Sequence, residues 1–247
     1  MLWHTSALKG FSIEATDGSL GTLEDFLFDD QTWSLRWVVV DTGRWLPGKL
    51  VLLPVSALGA TDLEMRLFHV KLTMRQVKDS PDVGQHPSVS RQSEAALFLH
   101  YGWNPYWGGD LYPISNAMAV PYEPQPAPSS GLPRAGSQVE LSSEQEDPHL
   151  RSTGAVTGDR IHANDGEIGH VEDFLVNDTS WSVPSIVVDT ANWWPGRHVS
   201  IPTGSVRKIE WDERLVYLNL TRQDIKDGPT DHSAGDVAKV FSATLLT

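Results

Sequence analysis

The chain has 247 residues, of which 19 are basic and 32 acidic, so its formal net charge is −13. Such a charge repels phosphate backbones, and the sequence therefore predicts no nucleic-acid partner. The absence of cysteine excludes disulfides, thiolate metal ligands and cysteine nucleophiles. There is no signal-peptide pattern and no apolar run of about 20 residues, so we expect a soluble, cytoplasmic protein without membrane insertion.

An internal repeat with an offset of 148 residues dominates the sequence. Residues 9–82 align without a gap on residues 157–230, with 29 identities in 74 pairs. Agreement over such a length predicts two domains of one fold. We call residues 1–84 repeat 1 and residues 153–247, including a C-terminal arm, repeat 2.

The first half of repeat 1 has the pattern of a β-hairpin. Ser6 to Ala15 alternates weakly between apolar and polar residues, and Asp17-Gly18 follows as a tight turn, where the backbone needs positive φ. Gly21 opens the next strand, and its missing side chain predicts a bulge or a close backbone approach. Leu23 to Phe28 continues that strand.

The second half of repeat 1 predicts three more strands and one helical turn. Leu35 to Asp41 is the most apolar strand, and the next strand ends at Pro54, which cannot donate to a sheet ladder. Arg66 to Leu72 alternates again, and Thr73 is a candidate N-cap. Five or six short strands in each repeat favour a small closed or half-closed antiparallel barrel, so the fold class is all-β with two tandem barrels.

Two segments separate the repeats. Residues 85–118 form an arm that contains Leu97, Phe98, Trp103 and Trp107, and this arm is either a helix or extended segment packed on a barrel or an exposed docking patch. The C-terminus has the same pattern at the same offset, which makes the arm part of the repeat. Residues 119–152 are rich in proline, serine and glutamate and are predicted to be a mobile linker.

An ordered set of residues, present twice, resembles the PRC-barrel family. It comprises Asp17, Gly18, Gly21, Glu24, Asp25, Phe26, Asp41 and Pro54 in repeat 1, and Asp165, Gly166, Gly169, Glu172, Asp173, Phe174, Asp189 and Pro202 in repeat 2. The family includes the cytoplasmic domain of the photosynthetic reaction centre H subunit and the C-terminal domain of a bacterial ribosome maturation factor. The resemblance implies small barrels used for protein contacts and not for catalysis, as in stand-alone bacterial PRC-barrel proteins.

Paired acids are the main candidates for chemistry. The pairs Glu24-Asp25 and Glu172-Asp173 could act in acid–base catalysis or bind a metal, but adjacent strand residues point to opposite faces, which favours structural hydrogen bonding to turn amides. His162 and His170 could approach each other, although repeat 1 has no histidine at either position. We expect no catalytic residues, no cofactor and no dedicated metal site.

Tryptophan is abundant, with ten residues in the chain. Large aromatic residues with a polar edge either plug small barrels or contribute to interfaces, and the sequence leaves both interpretations open. The candidate interface residues are Trp45, Trp103, Trp107, Trp193 and Trp194. We therefore expect a non-enzymatic protein-interaction or assembly module that binds a protein partner or itself. The alternatives are an H-subunit-like photosynthetic role and a small-ligand or metal-binding protein with a cleft between the barrels.

Overall fold

A computed structural model describes residues 1–43, 45–62, 64–81, 91–102, 149–190 and 197–227. The protein is mostly β, with two seven-stranded sheets and a few short helices in this part of the chain. The elements before residue 103 are β1 (Leu2–His4), α1 (Thr5–Leu8), β2 (Ser12–Ala15), β3 (Gly18–Asp29), β4 (Ser34–Asp41), β5 (Leu50–Pro54), β6 (Leu58–Asp62), β7 (Leu67–Val70), α2 (Met74–Lys78) and α3 (Arg91–Tyr101). Those from residue 149 onward are β8 (Leu150–Ser152), α4 (Thr153–Val156), β9 (Arg160–Ala163), β10 (Gly166–Asn177), β11 (Ser185–Asp189), β12 (His198–Pro202), β13 (Val206–Glu210), β14 (Leu215–Leu218) and α5 (Arg222–Asp227).

The two sheets have the same strand order. The first sheet runs β5-β4-β3-β2-β7-β6 and the second runs β12-β11-β10-β9-β14-β13, and the 148-residue offset converts one into the other. The predicted likeness of the repeats is therefore confirmed at the level of topology. Within the described residues the pairings leave both sheets open, so barrel closure stays a prediction.

The prediction of purely antiparallel sheets was wrong at one place in each repeat. β2 pairs with β7 in parallel, and β9 pairs with β14 in the same way. A parallel pair requires a long connection, and here the whole of β3 to β6 lies between β2 and β7. Alternation of apolar residues in the sequence carries no information about strand direction.

Two glycines allow the long strands β3 and β10 to approach a neighbouring strand end. Gly21 has φ +138°, and a Cβ atom on it would lie 1.9 Å from the carbonyl oxygen of Asp41. Gly169 has φ +145° and the same 1.9 Å distance to the carbonyl oxygen of Asp189. The register shifts beside both glycines, which confirms the predicted bulge and close approach.

The two repeats exchange their first strands. β1 precedes repeat 1 but pairs with β10, so that His4 lies opposite Leu175. β8 precedes repeat 2 but pairs with β3, where Ser152 lies opposite Leu27. Residues 150–152 are therefore a strand and not linker, as the sequence analysis had assigned them. Their hydrogen-bonding partner, β3, lies more than 100 residues away, so local composition did not reveal the strand. The rest of the predicted linker, up to residue 148, lies outside the described residues.

A single hydrophobic cluster extends through both repeats. The rings of Phe28 and Phe174 lie 5.4 Å apart, and those of Phe68 and Trp181 lie 6.5 Å apart, so aromatic side chains of one repeat pack on the other. This corrects the expectation of two separate barrels on a tether. A domain of about 75 residues buries a smaller fraction of its surface than a larger domain does, and sharing one core removes more apolar surface from water.

Helix α3 packs on the outer face of the first sheet. Leu97 is fully buried in a second cluster with Leu27, Trp37 and Val39, and Phe98 lies against the same cluster. The described part of the arm is thus a packed helix. Trp103 and Trp107 lie outside the described residues.

Replacing Gly21 with alanine is expected to destabilise the protein. The new Cβ would overlap the Asp41 carbonyl in a strained φ region, so we expect the free energy of unfolding to fall by about 2 kcal/mol or more. Chemical denaturation measures this. Gly204→Ala is the matched control, because nothing lies within 4 Å of its new Cβ. Equal midpoints for the two variants would contradict the close approach.

Candidate functional site

A cluster of polar side chains lies where the repeats exchange strands, and we call it the exchange site. The Asp173 carboxylate of repeat 2 accepts hydrogen bonds from the first residues of the chain. Its Oδ1 atom accepts from Thr5 Oγ1 at 2.6 Å and from the Ser6 amide at 3.2 Å. Its Oδ2 atom accepts from Ser6 Oγ at 2.5 Å and lies 3.1 Å from His4 Nδ1. Asp173 thus holds α1 of repeat 1.

Asp25 of repeat 1 does the same for the start of repeat 2. Its Oδ1 atom accepts from Thr153 Oγ1 at 2.6 Å and from the Gly154 amide at 3.1 Å, and its Oδ2 atom accepts from Ser152 Oγ. Lys9 Nζ lies 3.0 Å from Oδ1. The exchange site therefore occurs twice, related by the approximate two-fold symmetry of the chain.

A register shift in β3 positions Asp25 for this role. The shift falls between Leu23 and Asp25, and Asp25 lies opposite Val39 after it. The same shift occurs in β10 before Asp173. The sequence analysis expected bonds to turn amides, and the structure adds that the turn amides of Ser6 and Gly154 belong to the opposite repeat. Glu24 is exposed and takes no part in the exchange site.

A second pair of aspartates extends the contact along the exchanged strands. Asp178 accepts hydrogen bonds from the Met1 amino group at 2.7 Å and from Trp3 Nε1 at 3.0 Å. Its counterpart Asp30 lies 2.9 Å from His149 Nδ1. The exchanged strands are therefore held by side chains as well as by their backbone ladders.

Two tryptophans join the repeats at the symmetry axis. The carbonyl oxygen of Trp181 accepts from the Leu35 amide, and that of Trp33 accepts from the Val183 amide, both at 2.7 Å. Trp33 and Trp181 have φ of 54° and 52°, in a region that few residues other than glycine adopt. The paired hydrogen bonds between the repeats offset the conformational free energy that these two residues cost.

The remaining residues of the sequence motif stabilise their own repeats. Asp17 and Asp165 each accept from the first amide of the helix that follows the last strand, at Met74 and Arg222. Phe26 and Phe174 are fully buried. The other motif residues lie in strands, turns or at strand ends: Gly18, Gly166, Asp41, Asp189, Glu172, Pro54 and Pro202.

Trp45 is used internally. Its Nε1 atom donates to the Leu20 carbonyl at 2.6 Å, and its ring packs against the shared core. For Trp45 the geometry therefore favours the interpretation that the side chain fills the interior of the repeat, and not the interpretation that it contributes to an interface. Trp193 and Trp194 lie outside the described residues, as do Trp103 and Trp107.

The electrostatics of the exchange site favour a structural role. Burial alone would raise the pKa of Asp173, but hydrogen bonds from His4, Ser6, Thr5 and the Phe174 amide outweigh it, and the pKa of Asp173 lies below its usual value. A carboxylate held ionised by several donors is a poor general base. Among the described residues no group of three or more histidines or acids could hold a metal ion.

The exchange site was missed because the repeat alignment began at Lys9. Extended backwards, the same offset pairs Thr5 with Thr153 and His4 with Ser152. Hydroxyl residues directly before a short helical turn are the usual signal of a helix N-cap. That signal predicts a cap, but nothing in it indicates that the bonded carboxylate belongs to the other repeat.

Comparison with known proteins gives one family. Residues 5–76 match the PRC-barrel domain family. No curated protein matches the chain. In the described part of the chain, no helix has both the length and the apolar character needed to cross a bilayer.

Removing either exchange-site carboxylate is expected to destabilise both repeats together. Asp173→Ala leaves several buried donors without an acceptor, so we expect a loss of about 2–3 kcal/mol in the free energy of unfolding. Asp25→Ala should act similarly. Urea denaturation followed by circular dichroism tests this, with the exposed Glu24→Ala as control. Wild-type stability in both aspartate variants would contradict the proposed role of the site.

The lowered pKa of Asp173 predicts a loss of stability in acid. Because its folded-state pKa is lower than its unfolded-state pKa, the contribution is complete above about pH 4 and disappears as the pH falls through the folded-state value. Denaturation midpoints measured from pH 7 to pH 2 should fall less steeply in Asp173→Asn than in wild type. Parallel curves would show that Asp173 does not contribute to acid sensitivity.

Proposed function

Since residues 5–76 form a PRC-barrel domain, we propose that this protein is a non-enzymatic interaction or assembly module. The observation that carries the proposal is the exchange site. Its hydrogen bonds involve Asp25 and Asp173, which belong to the acid pairs that were the main candidates for catalysis. Both carboxylate oxygens of Asp25 and of Asp173 accept hydrogen bonds within the protein. The hydrogen bonds of these two carboxylates hold the two repeats together.

The cavity that the described residues form at the junction of the repeats is too small for a substrate. One cavity at this junction is lined by side chains of both repeats, among them Trp3, Phe68, Val176 and Trp181. Its interior is hardly larger than a water molecule and is mostly apolar. The aromatic side chains at the junction are used for internal packing, which leaves the outer surface for partners.

The outer surface of α3 is the best-supported partner site. Leu97 points into the first sheet, whereas Leu99 on the same helix is 74% exposed. The sequence after this helix contains Trp103 and Trp107, which are residue types enriched at the centres of interfaces. An exposed leucine next to such a segment supports a contact with a protein partner or a second copy of the chain.

Replacing Leu99 with glutamate should weaken association without affecting the fold. Sedimentation equilibrium of the purified chain measures self-association, and quantitative affinity capture from extracts of the source cells measures binding of a partner. We expect Leu99→Glu to weaken either self-association or partner binding by about tenfold or more, because an interface contact is lost. Met65→Glu is the matched control, because Met65 is 72% exposed but lies far from α3 in the sequence.

Two outcomes would contradict this proposal. One is unchanged association in both assays for Leu99→Glu, with circular dichroism showing an intact fold. The other is a rise of several degrees in the melting temperature with one metal ion or metabolite from a panel, because ligand binding to the native state raises the melting temperature. That result would favour the ligand-binding alternative.

A further inference from the structure

The junction of the repeats is built like the interface of a two-fold dimer. Thr5 donates a hydrogen bond to Asp173, and the counterparts of these residues at the 148-residue offset, Thr153 and Asp25, make the same contact with the repeats reversed. A surface that repeats each contact in this way is self-complementary, which is the defining property of an isologous interface. The surface that repeat 2 offers to repeat 1 is therefore present on every copy of the chain.

Ser34 and Ser182 mark the axis of this interface. They are equivalent at the 148-residue offset, and they form an antiparallel β-bridge with each other. The hydrogen bonds that the carbonyl oxygens of Trp33 and Trp181 accept flank the bridge on both sides. In an antiparallel pair flanked in this way, the facing Cα atoms lie about 4.5 Å apart and the side chains are close. A residue that faces its own counterpart lies on the two-fold axis.

The junction is too buried to open easily, so the copy that supplies the second half is selected during folding. Phe28 and Phe174 are fully buried, and their rings lie 5.4 Å apart across the junction. Separating the halves would also break the ladders of β1 with β10 and of β8 with β3. Exposing this apolar surface is costly, and a pairing once formed is therefore long-lived.

The covalent connection leaves open which copy supplies the second half. It comprises the 46 residues 103–148, which lie outside the described residues. A connection of that length can extend over at most about 150 Å, whereas a compact chain of 247 residues has a radius of gyration of about 18 Å. A second molecule is therefore within reach. Tethering gives the chain's own second half an effective concentration in the millimolar range, so a second copy competes when the protein folds at comparable concentration.

We propose that two copies of the chain form a dimer by exchanging repeats, so that residues 1–102 of each copy pair with residues 149–227 of the other. Asp173 of one copy then accepts its hydrogen bonds from Thr5 and Ser6 of the other, and every contact of the single chain is kept. The dimer deepens the assembly function proposed above, on which its biological role rests. It uses the junction of the repeats and not the exposed Leu99 of α3.

Two single-cysteine variants test the exchange. The natural chain has no cysteine, and Ser34→Cys and Ser182→Cys place one thiol on each side of the axial bridge. The Cα separation of such a bridge is suitable for a disulfide. Within a chain of either variant the facing residue is still serine. A disulfide between positions 34 and 182 therefore forms only when repeat 1 of one copy pairs with repeat 2 of the other.

The two variants are unfolded in urea, mixed and refolded together in a glutathione redox buffer. We expect a disulfide-linked dimer on non-reducing gels, and peptide mapping should join position 34 to position 182. Its yield should rise about tenfold or more when the refolding concentration is raised from about 10 μM to about 500 μM, because pairing between copies competes with the tethered pairing. Ser12→Cys mixed with Ser182→Cys is the control for random thiol contact, since Ser12 is exposed on β2.

A further pair of variants keeps the test decisive. A chain with both Ser34→Cys and Ser182→Cys should form an intramolecular disulfide in dilute solution, which shows that the facing positions react and that the fold tolerates the changes. Adding Leu99→Glu to both single-cysteine variants should leave the yield of the dimer unchanged, so that this result is separate from the test of the α3 contact.

Four results would overturn the proposal. They are a yield no higher than in the Ser12→Cys control, disulfide dimers of Ser34→Cys with itself at equal yield, absence of the intramolecular disulfide in the double variant, and loss of the dimer in Leu99→Glu. The second would show that like repeats pair with each other, and the last that the copies associate through α3.

Discussion

The structure depends on two carboxylates, those of Asp25 and Asp173, that accept hydrogen bonds across the molecule. Asp25 and Asp173 each accept bonds from the hydroxyl groups and amides at the start of the other repeat. A short helical turn such as α1 or α4 has little intrinsic stability, because a few residues cannot complete its hydrogen bonding. The opposite carboxylate accepts the donors of each turn and so stabilises it. Each repeat therefore stabilises part of the other.

The shared core follows from this arrangement. Exchanging β1 and β8 brings the apolar sides of the sheets together, so that Phe28 contacts Phe174 and Phe68 contacts Trp181. The symmetry is approximate, since some equivalent positions of the two repeats carry different residues. Arg66 lies over the ring of Phe11, whereas its counterpart Arg214 forms an ion pair with Asp159. Two copies within one chain can differ in this way because each interacts with a fixed partner.

Local sequence signals predicted most of each repeat. The turn at Asp17-Gly18, the close approach at Gly21 and the strand end at Pro54 all depend on the backbone properties of glycine and proline, which a sequence displays directly. The exchange of β1 and β8 depends on contacts between residues more than 120 positions apart, and short strands such as Leu150–Ser152 have no periodicity to detect. Asp25 was recognised as part of a motif, but for the same reason the sequence did not indicate that its partners lie in the other repeat.

Strand exchange also has a consequence for the order in which the protein is completed during synthesis. β3 leaves the ribosome early, but its partner β8 ends only at Ser152. β1 is made before its partner β10, which ends at Asn177. A nascent chain that ends at residue 140 thus contains all of repeat 1 and none of the strand that completes its sheet. Closing such distant contacts is slow, and unpaired strand edges favour association with other chains in the meantime. Residues 1–140 contain 15 acidic and 10 basic side chains, so incomplete copies carry a net charge of −5, and their mutual repulsion reduces that risk.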